Sequence, residues 1–219
     1  MTAPAKVYLL GSSHDGAIRE VFRRVQAEIP KPWIGVSCAA LARAPRDGRE
    51  HAGSIGHLFH PAATVERFSV DGEDEAMAPE KARSIVERAD VLFFGGGDPV
   101  LAAERLVNAG ADAWVREASA RGAVCVGLSA GSIALGAFWA SWPEDNPDAE
   151  ARLVPCLRVV PDLVVDCHAE RDDWEELRVV RHRLGKDAHG LRFAGIGSGS
   201  ALVVGSDGSL EWIGKSCLL

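Results

Sequence analysis

The chain lacks several features that would have fixed its class at once. Its five cysteines, Cys38, Cys125, Cys156, Cys167 and Cys217, are odd in number and form no C-x-x-C pair. That argues against a disulfide framework and against a cysteine-rich zinc site, and leaves reduced thiols in a cytoplasm as the simplest expectation. Positive charge is short: 24 Lys and Arg stand against 31 Asp and Glu, a formal net charge of -7. A chain this acidic has no overall field that favours phosphate backbones, so no nucleic-acid partner is expected. No apolar run is long enough to span a bilayer. The opening MTAPAKVYLL moves at once into a strand-like run without the apolar stretch of a signal peptide, so no membrane partner is expected either. Internal repeats, low-complexity tracts and a convincing linker are absent, which makes residues 1–219 one domain on this reading.

What is present is ordinary in bulk: 47% hydrophobic and 25% charged residues suit a soluble globular fold. Gly, at 23, is somewhat abundant and points to tight turns or close backbone approach. Apolar runs predict strands over residues 6–12, 33–40, 64–70 (the most exposed), 91–94, 124–128 and 159–167. Between them, helical spacing starts at Asp15 as N-cap and runs through Ile18, Val21, Phe22, Val25 and Ile29 to Pro30. Further helices are expected over 46–60 (weak and polar), 79–89, 99–121 as one long stretch, 133–139 and 172–184. Residues 71–75 (DGEDE) read as a solvated acidic turn and 143–147 as a polar loop. The Gly-rich residues 193–213 read as a hairpin at a sheet edge. Strands alternating with helices predict an α/β fold with a mostly parallel sheet covered on both faces. In such sheets the chemistry gathers beyond the C-terminal ends of the strands.

The strongest signal lies at one of those ends. Gly127-Leu128-Ser129-Ala130-Gly131 is G-x-S-x-G, entered by the apolar run Val124, Cys125, Val126 and left by a helical run. A nucleophile elbow needs small residues around its Ser because the turn is sharp, and Gly127, Ala130 and Gly131 meet that need. The Ala130 N–H, opening the next helix, would face a developing oxyanion. A serine hydroxyl needs a base. His168, ending the run VVDCH, is the best candidate, with His14 at the end of the first strand as competitor; His51, His57, His60, His182 and His189 read as surface residues. The second oxyanion donor is expected from Gly95, Gly96 and Gly97, directly after VLFF, where glycines allow close approach to a carbonyl. Neither G-x-G-x-x-G nor a P-loop is present, and Asp98 would repel a phosphate there.

FFGGGDP, then GLSAGS some thirty residues on, then VVDCHAERDDWEELRVVRHRL, in that order, resemble the dipeptidase E and cyanophycinase family of serine peptidases. The resemblance covers most of the chain. It implies a flavodoxin-like fold related to class I glutamine amidotransferases, with Ser in place of their Cys. It also implies Ser129 as nucleophile, His168 as base, and Gly97 and Ala130 as oxyanion-hole amides. Gly96, Asp98 and Arg171 would touch a short peptide substrate, one with an acidic N-terminal residue or a related β-linked polymer. No metal or organic cofactor is implied, and a monomer or homodimer is expected.

Two departures stand out. The family's late acidic residue, which orients the base, falls in the turn GIGSGSALVV, where this chain has Gly197, Ser198 and Gly199. Asp166 is the expected substitute, since residues two apart on a strand share a face. Asp172, Asp173, Glu144 and Asp145 remain further candidates, because triads are recognised by geometry rather than order. The triple-Gly turn also continues with Asp98 instead of an amide residue, and a carboxylate there opposes an oxyanion unless it is paired or turned away. A non-catalytic binding or regulatory protein on the same fold is therefore a rival reading. A glutaminase is disfavoured by Ser129 in place of Cys. Cys125 and Cys167 read as buried hydrophobes rather than catalytic thiols. Trp139 and Trp142 could wall a pocket or pack in the core, and Arg178, Arg181 and Arg183 face solvent or an acidic substrate.

Overall fold

The computed structural model describes residues 5–12, 16–40, 63–70, 77–142, 150–214 and 216–218. Strand β1 (Val7–Leu10) is followed by helix α1 (Gly16–Glu28), β2 (Trp33–Ser37), β3 (Thr64–Phe68) and α2 (Pro79–Arg88). Then come β4 (Val91–Phe94), α3 (Pro99–Asn108), α4 (Ala111–Arg121), β5 (Val124–Leu128) and α5 (Ala130–Leu135). The chain continues through β6 (Phe138–Ser141), β7 (Arg152–Pro155), β8 (Leu163–Cys167), α6 (Glu175–Leu184), β9 (Arg192–Ile196), β10 (Ala201–Val204), β11 (Leu210–Ile213) and β12 (Ser216–Leu218).

Seven strands form the main sheet in the order β11-β10-β1-β5-β4-β2-β3. The run from β1 to β3 is parallel, and β10 and β11 add an antiparallel edge. A second sheet, β12-β9-β8, pairs β8 and β9 in parallel; β6 and β7 form a separate antiparallel pair. Strand alternation divides the apolar side chains between two cores. Leu92 and Phe94 enter one, Val91 and Phe93 the other. Helix α1 closes the second with Ile18, Val21, Phe22 and Val25, and Phe22 stacks on Phe93 with ring centroids 6.2 Å apart. Helices α2 to α5 fill the first with Ile85, Leu106, Val115 and Ile133, and the second sheet shares it through Leu163, Val164 and Val165. Helix α5 packs on β5 and on β8, and so joins the two sheets that carry the site.

The expected α/β class with a mostly parallel sheet is what the chain adopts, and the half-exposed strand expected near 64–70 is the edge strand β3. Three local expectations are corrected. The single helix expected over 99–121 is two, because Gly110 takes a left-handed φ of 71° and breaks the run. The helix expected over 133–139 begins earlier, at Ala130, and stops at Leu135. Gly136 is extended there, and a Cβ on it would lie 2.9 Å from the Leu163 carbonyl oxygen. Residues Phe138–Ser141 then pair with Arg152–Pro155, a strand the sequence did not signal. Residues 193–213 are divided: β9 joins the second sheet, while β10 and β11 make the edge hairpin. Asp15 and the segments expected at 46–60, 71–75 and 143–147 lie outside the described residues. Among the described residues, no helix is long and apolar enough to cross a membrane.

Candidate active site

The parallel pairing of β4 with β5 sets Phe94 opposite Gly127. The triple-Gly turn and the elbow therefore leave neighbouring strand ends side by side. Ser129 sits at φ 51°, ψ −115°, a strained conformation for a residue with a side chain. Packing enforces it. A Cβ on Gly131 would meet the Phe94 carbonyl oxygen at 2.1 Å, and one on Gly127 would meet Ser132 N at 2.6 Å. Ser132, fully buried, bridges the elbow to β1: its Oγ accepts from Leu10 N–H and donates to Leu10 C=O, each at 2.9 Å. The Ser129 N–H also goes to Leu10 C=O, at 2.8 Å.

Ser129 Oγ lies 2.9 Å from His168 Nε2. His168 leaves β8 with φ 50°, and its N–H is held by the Ile196 carbonyl at 2.9 Å. For Ser129 to donate to Nε2, the neutral ring must carry its proton on Nδ1. Among the described residues no group hydrogen-bonds Nδ1. Asp166, the expected orienting acid, does not: its Oδ1 accepts from Cys167 N–H at 2.7 Å, and its Oδ2 is buried without a partner. Burial pushes the Asp166 carboxyl up to about 7, with Glu176, Asp172 and Glu170 adding to it and the Cys167 N–H opposing. Asp172 Oδ1 accepts from Trp174 N–H at 3.2 Å and Asp173 pairs with Arg178. Glu144, Asp145 and His14 lie outside the described residues.

A residue the sequence reasoning passed over takes a place beside the base. Glu170 Oε1 accepts the Ser198 N–H, so a carboxylate from after β8 reaches the turn where the resemblance led to an acid being expected. Burial opposes its ionisation, but the Ser198 N–H, its own N–H, the Ser198 hydroxyl and the charge of His168 hold it below the usual glutamate range. The pairing of Cys167 with Ile196 across β8 and β9 brings these two turns together, and no local pattern marks it.

A cavity of about 550 Å³ opens beside Ser129 and His168, of a size that takes a short peptide. Gly97, Ala130, Trp139, Trp142 and Asp98 are on its wall. Gly97 has φ 142°, and a Cβ there would lie 2.2 Å from the Ala40 carbonyl oxygen. Neither the Gly97 nor the Ala130 N–H has a hydrogen-bond partner among the described residues. Asp98 is not aimed at that hole: its Oδ1 caps α3, accepting from Val100 N–H at 2.8 Å and Leu101 N–H at 3.0 Å. Gly96 packs against the elbow, where a Cβ would be 3.5 Å from Ser129 Cβ, and is not on the cavity wall. Arg171, expected to touch substrate, is exposed and also off that wall. Trp139 serves both expected roles, 6% exposed in the core and lining the cavity. Burial pushes the Cys125 thiol up to about 12 and the Cys167 thiol well above its usual range, so neither supplies a thiolate near neutral pH.

A mostly parallel α/β fold with a strained serine elbow at a central strand end defines a class of protein, the elbow hydrolase. More particularly, residues 66–211 match the model of Peptidase family S51, and the chain belongs to that family. No curated protein matches it. Solved structures share the fold, two of them as follows. A peptidase from an acI-B1 Actinobacterium is 19% identical with a TM-score of 0.67, the match covering 97% of this chain and 88% of that one. A candidate peptidase E protein from Listeria monocytogenes EGD-e is 13% identical with a TM-score of 0.63, covering 99% and 98%.

Proposed function

We propose that the chain is a serine peptidase acting on short peptides. The observation that carries this reading is the 2.9 Å contact between Ser129 Oγ and His168 Nε2 at a strained elbow. Ser129 attacks the scissile carbonyl while His168 takes its proton on Nε2. The Gly97 and Ala130 N–H groups, without other partners among the described residues, receive the oxyanion. His168 then gives its proton to the leaving amine, and water releases the acyl group from Ser129 by the reverse sequence. Glu170 supplies negative charge near the imidazolium without a direct hydrogen bond, in the place of the acid that Ser198 replaces. No step needs a metal.

Ser129→Ala is expected to lower peptide hydrolysis at least ~10³-fold, measured on a panel of dipeptides. Full retention of hydrolysis by that variant would overturn the reading. The lack of an Nδ1 partner for His168 among the described residues favours one rival, a binding protein that kept the elbow without turnover. Labelling by a fluorophosphonate, present in the parent chain and lost in Ser129→Ala, separates the two; a parent chain that resists labelling supports the rival.

A further inference from the structure

The arginines that the sequence offered for an acidic substrate are engaged elsewhere. Arg178 pairs with Asp173, Arg183 reaches Glu150 at 2.7 Å, and Arg181 lies over the Phe193 ring at 5.5 Å from its centroid. Among the described residues no Lys or Arg lines the cavity; its charged lining is Asp98, Asp166, Asp172 and Glu176, with His168 beside them. Asp98 is taken up by its helix end. Two oxygens are not: Asp166 Oδ2 and Glu176 Oε2 are both buried and both without a hydrogen-bond partner among the described residues, and Asp166 is only 3% exposed. A buried carboxylate oxygen with no donor is costly. The charges acting most on Asp166 are Glu176, Asp172 and Glu170, all of its own sign. What the described wall lacks is a cation bearing N–H groups.

We propose that a primary ammonium group of the substrate fills that gap, held by Asp166 and Glu176 with Asp172 on the exposed side. The proposal rests on the peptidase reading and reverses the substrate charge that the family resemblance implies. An ammonium brings one positive charge and three donors, which matches two unpartnered acceptors beside a third carboxylate. It turns the repulsion among these carboxylates into attraction for the ligand. The group has two sources in a peptide, the free amino terminus and a lysine side chain.

Calorimetric titration of the Ser129→Ala chain tests this without turnover. The probes are lysinamide, alaninamide, N-acetyl-lysinamide, N-acetyl-alaninamide and the α-amide of aspartic acid. At least one of lysinamide, alaninamide and N-acetyl-lysinamide is expected to bind tenfold or more tightly than N-acetyl-alaninamide. Tight binding of N-acetyl-lysinamide assigns the side chain, and tight binding of alaninamide assigns the amino terminus. The aspartic amide is expected to bind at least tenfold more weakly than lysinamide. Asp166→Asn and, separately, Glu176→Gln are expected to weaken the preferred ammonium probe at least tenfold, so either one alone gives an answer if the other fails to fold. Preference for the aspartic amide, no ammonium-dependent binding, or indifference to both substitutions overturns the proposal. Binding answers this question even if Ser129 proves not to hydrolyse peptides.

Discussion

Ser129 and His168 are separated by 39 residues, and the turns that carry them are built on opposite principles. The serine turn is wedged. Glycines at 127 and 131 have no room for a Cβ, and the Ser132 hydroxyl ties the turn to β1. The histidine turn is exposed and hangs from one backbone bond to Ile196, with Trp174 packed flat on Gly195 behind it. Steric contact with the main sheet fixes one position; pairing within a small second sheet fixes the other. Errors at the first turn should therefore appear as lost stability, and errors at the second as lost chemistry in a stable fold.

The strongest way to break the contrast is Gly131→Ala. Its Cβ would press on the Phe94 carbonyl, so a loss of more than about 3 kcal/mol is expected, read by denaturant unfolding together with loss of fluorophosphonate labelling. Asp166→Asn tests the floor between the turns and acts in the other direction. The folded carboxyl titrates near 7 and the ordinary value is 3.8, so ionising it at high pH favours the unfolded chain. Its cost is small below pH 4, grows as pH rises toward 7, and is on the order of 4–5 kcal/mol at most above that, from about 1.4 kcal/mol per pH unit. The variant is expected to be more stable than the parent at pH 8 and nearly equal to it at pH 4. An equal difference at both values would refute the assignment. Ser132→Ala leaves the buried Leu10 N–H without its acceptor and is expected to cost about 1–3 kcal/mol, measured by thermal melting. Glu170→Gln is the small one for stability, within about 0.5 kcal/mol for a surface group. It should still lower kcat about tenfold, because a negative charge beside the imidazolium is removed. An unchanged kcat would show that Glu170 does not act on His168.

The contrast also explains what could be read in advance. The elbow and the triple-Gly turn are local, written in consecutive residues between a strand and a helix, and the sequence showed both. The alternating apolar runs gave the parallel sheet for the same reason. The break at Gly110 was hidden because apolar spacing continues on either side of it. Strand β7 was hidden because it exists only through its pairing with β6. Glu170 was hidden most deeply: its relation to Ser198 depends on the register of β8 against β9, which no window along the chain contains. The same limit applied to Arg171, whose nearness to His168 in sequence says nothing about which way the turn after it leaves the cavity.

Leu10 has a consequence for how the molecule is assembled. Its single carbonyl oxygen accepts from the Ser129 N–H, the Ser132 hydroxyl and the Cys167 thiol, groups 119 to 157 residues further along. Strand β1 is thus the clamp for a turn far along the chain, and the turn's working shape depends on β1, β5 and β8 being in place together. An amide at Leu10 that exchanges hydrogen only on global unfolding would mark that clamp as the last part of the molecule to let go.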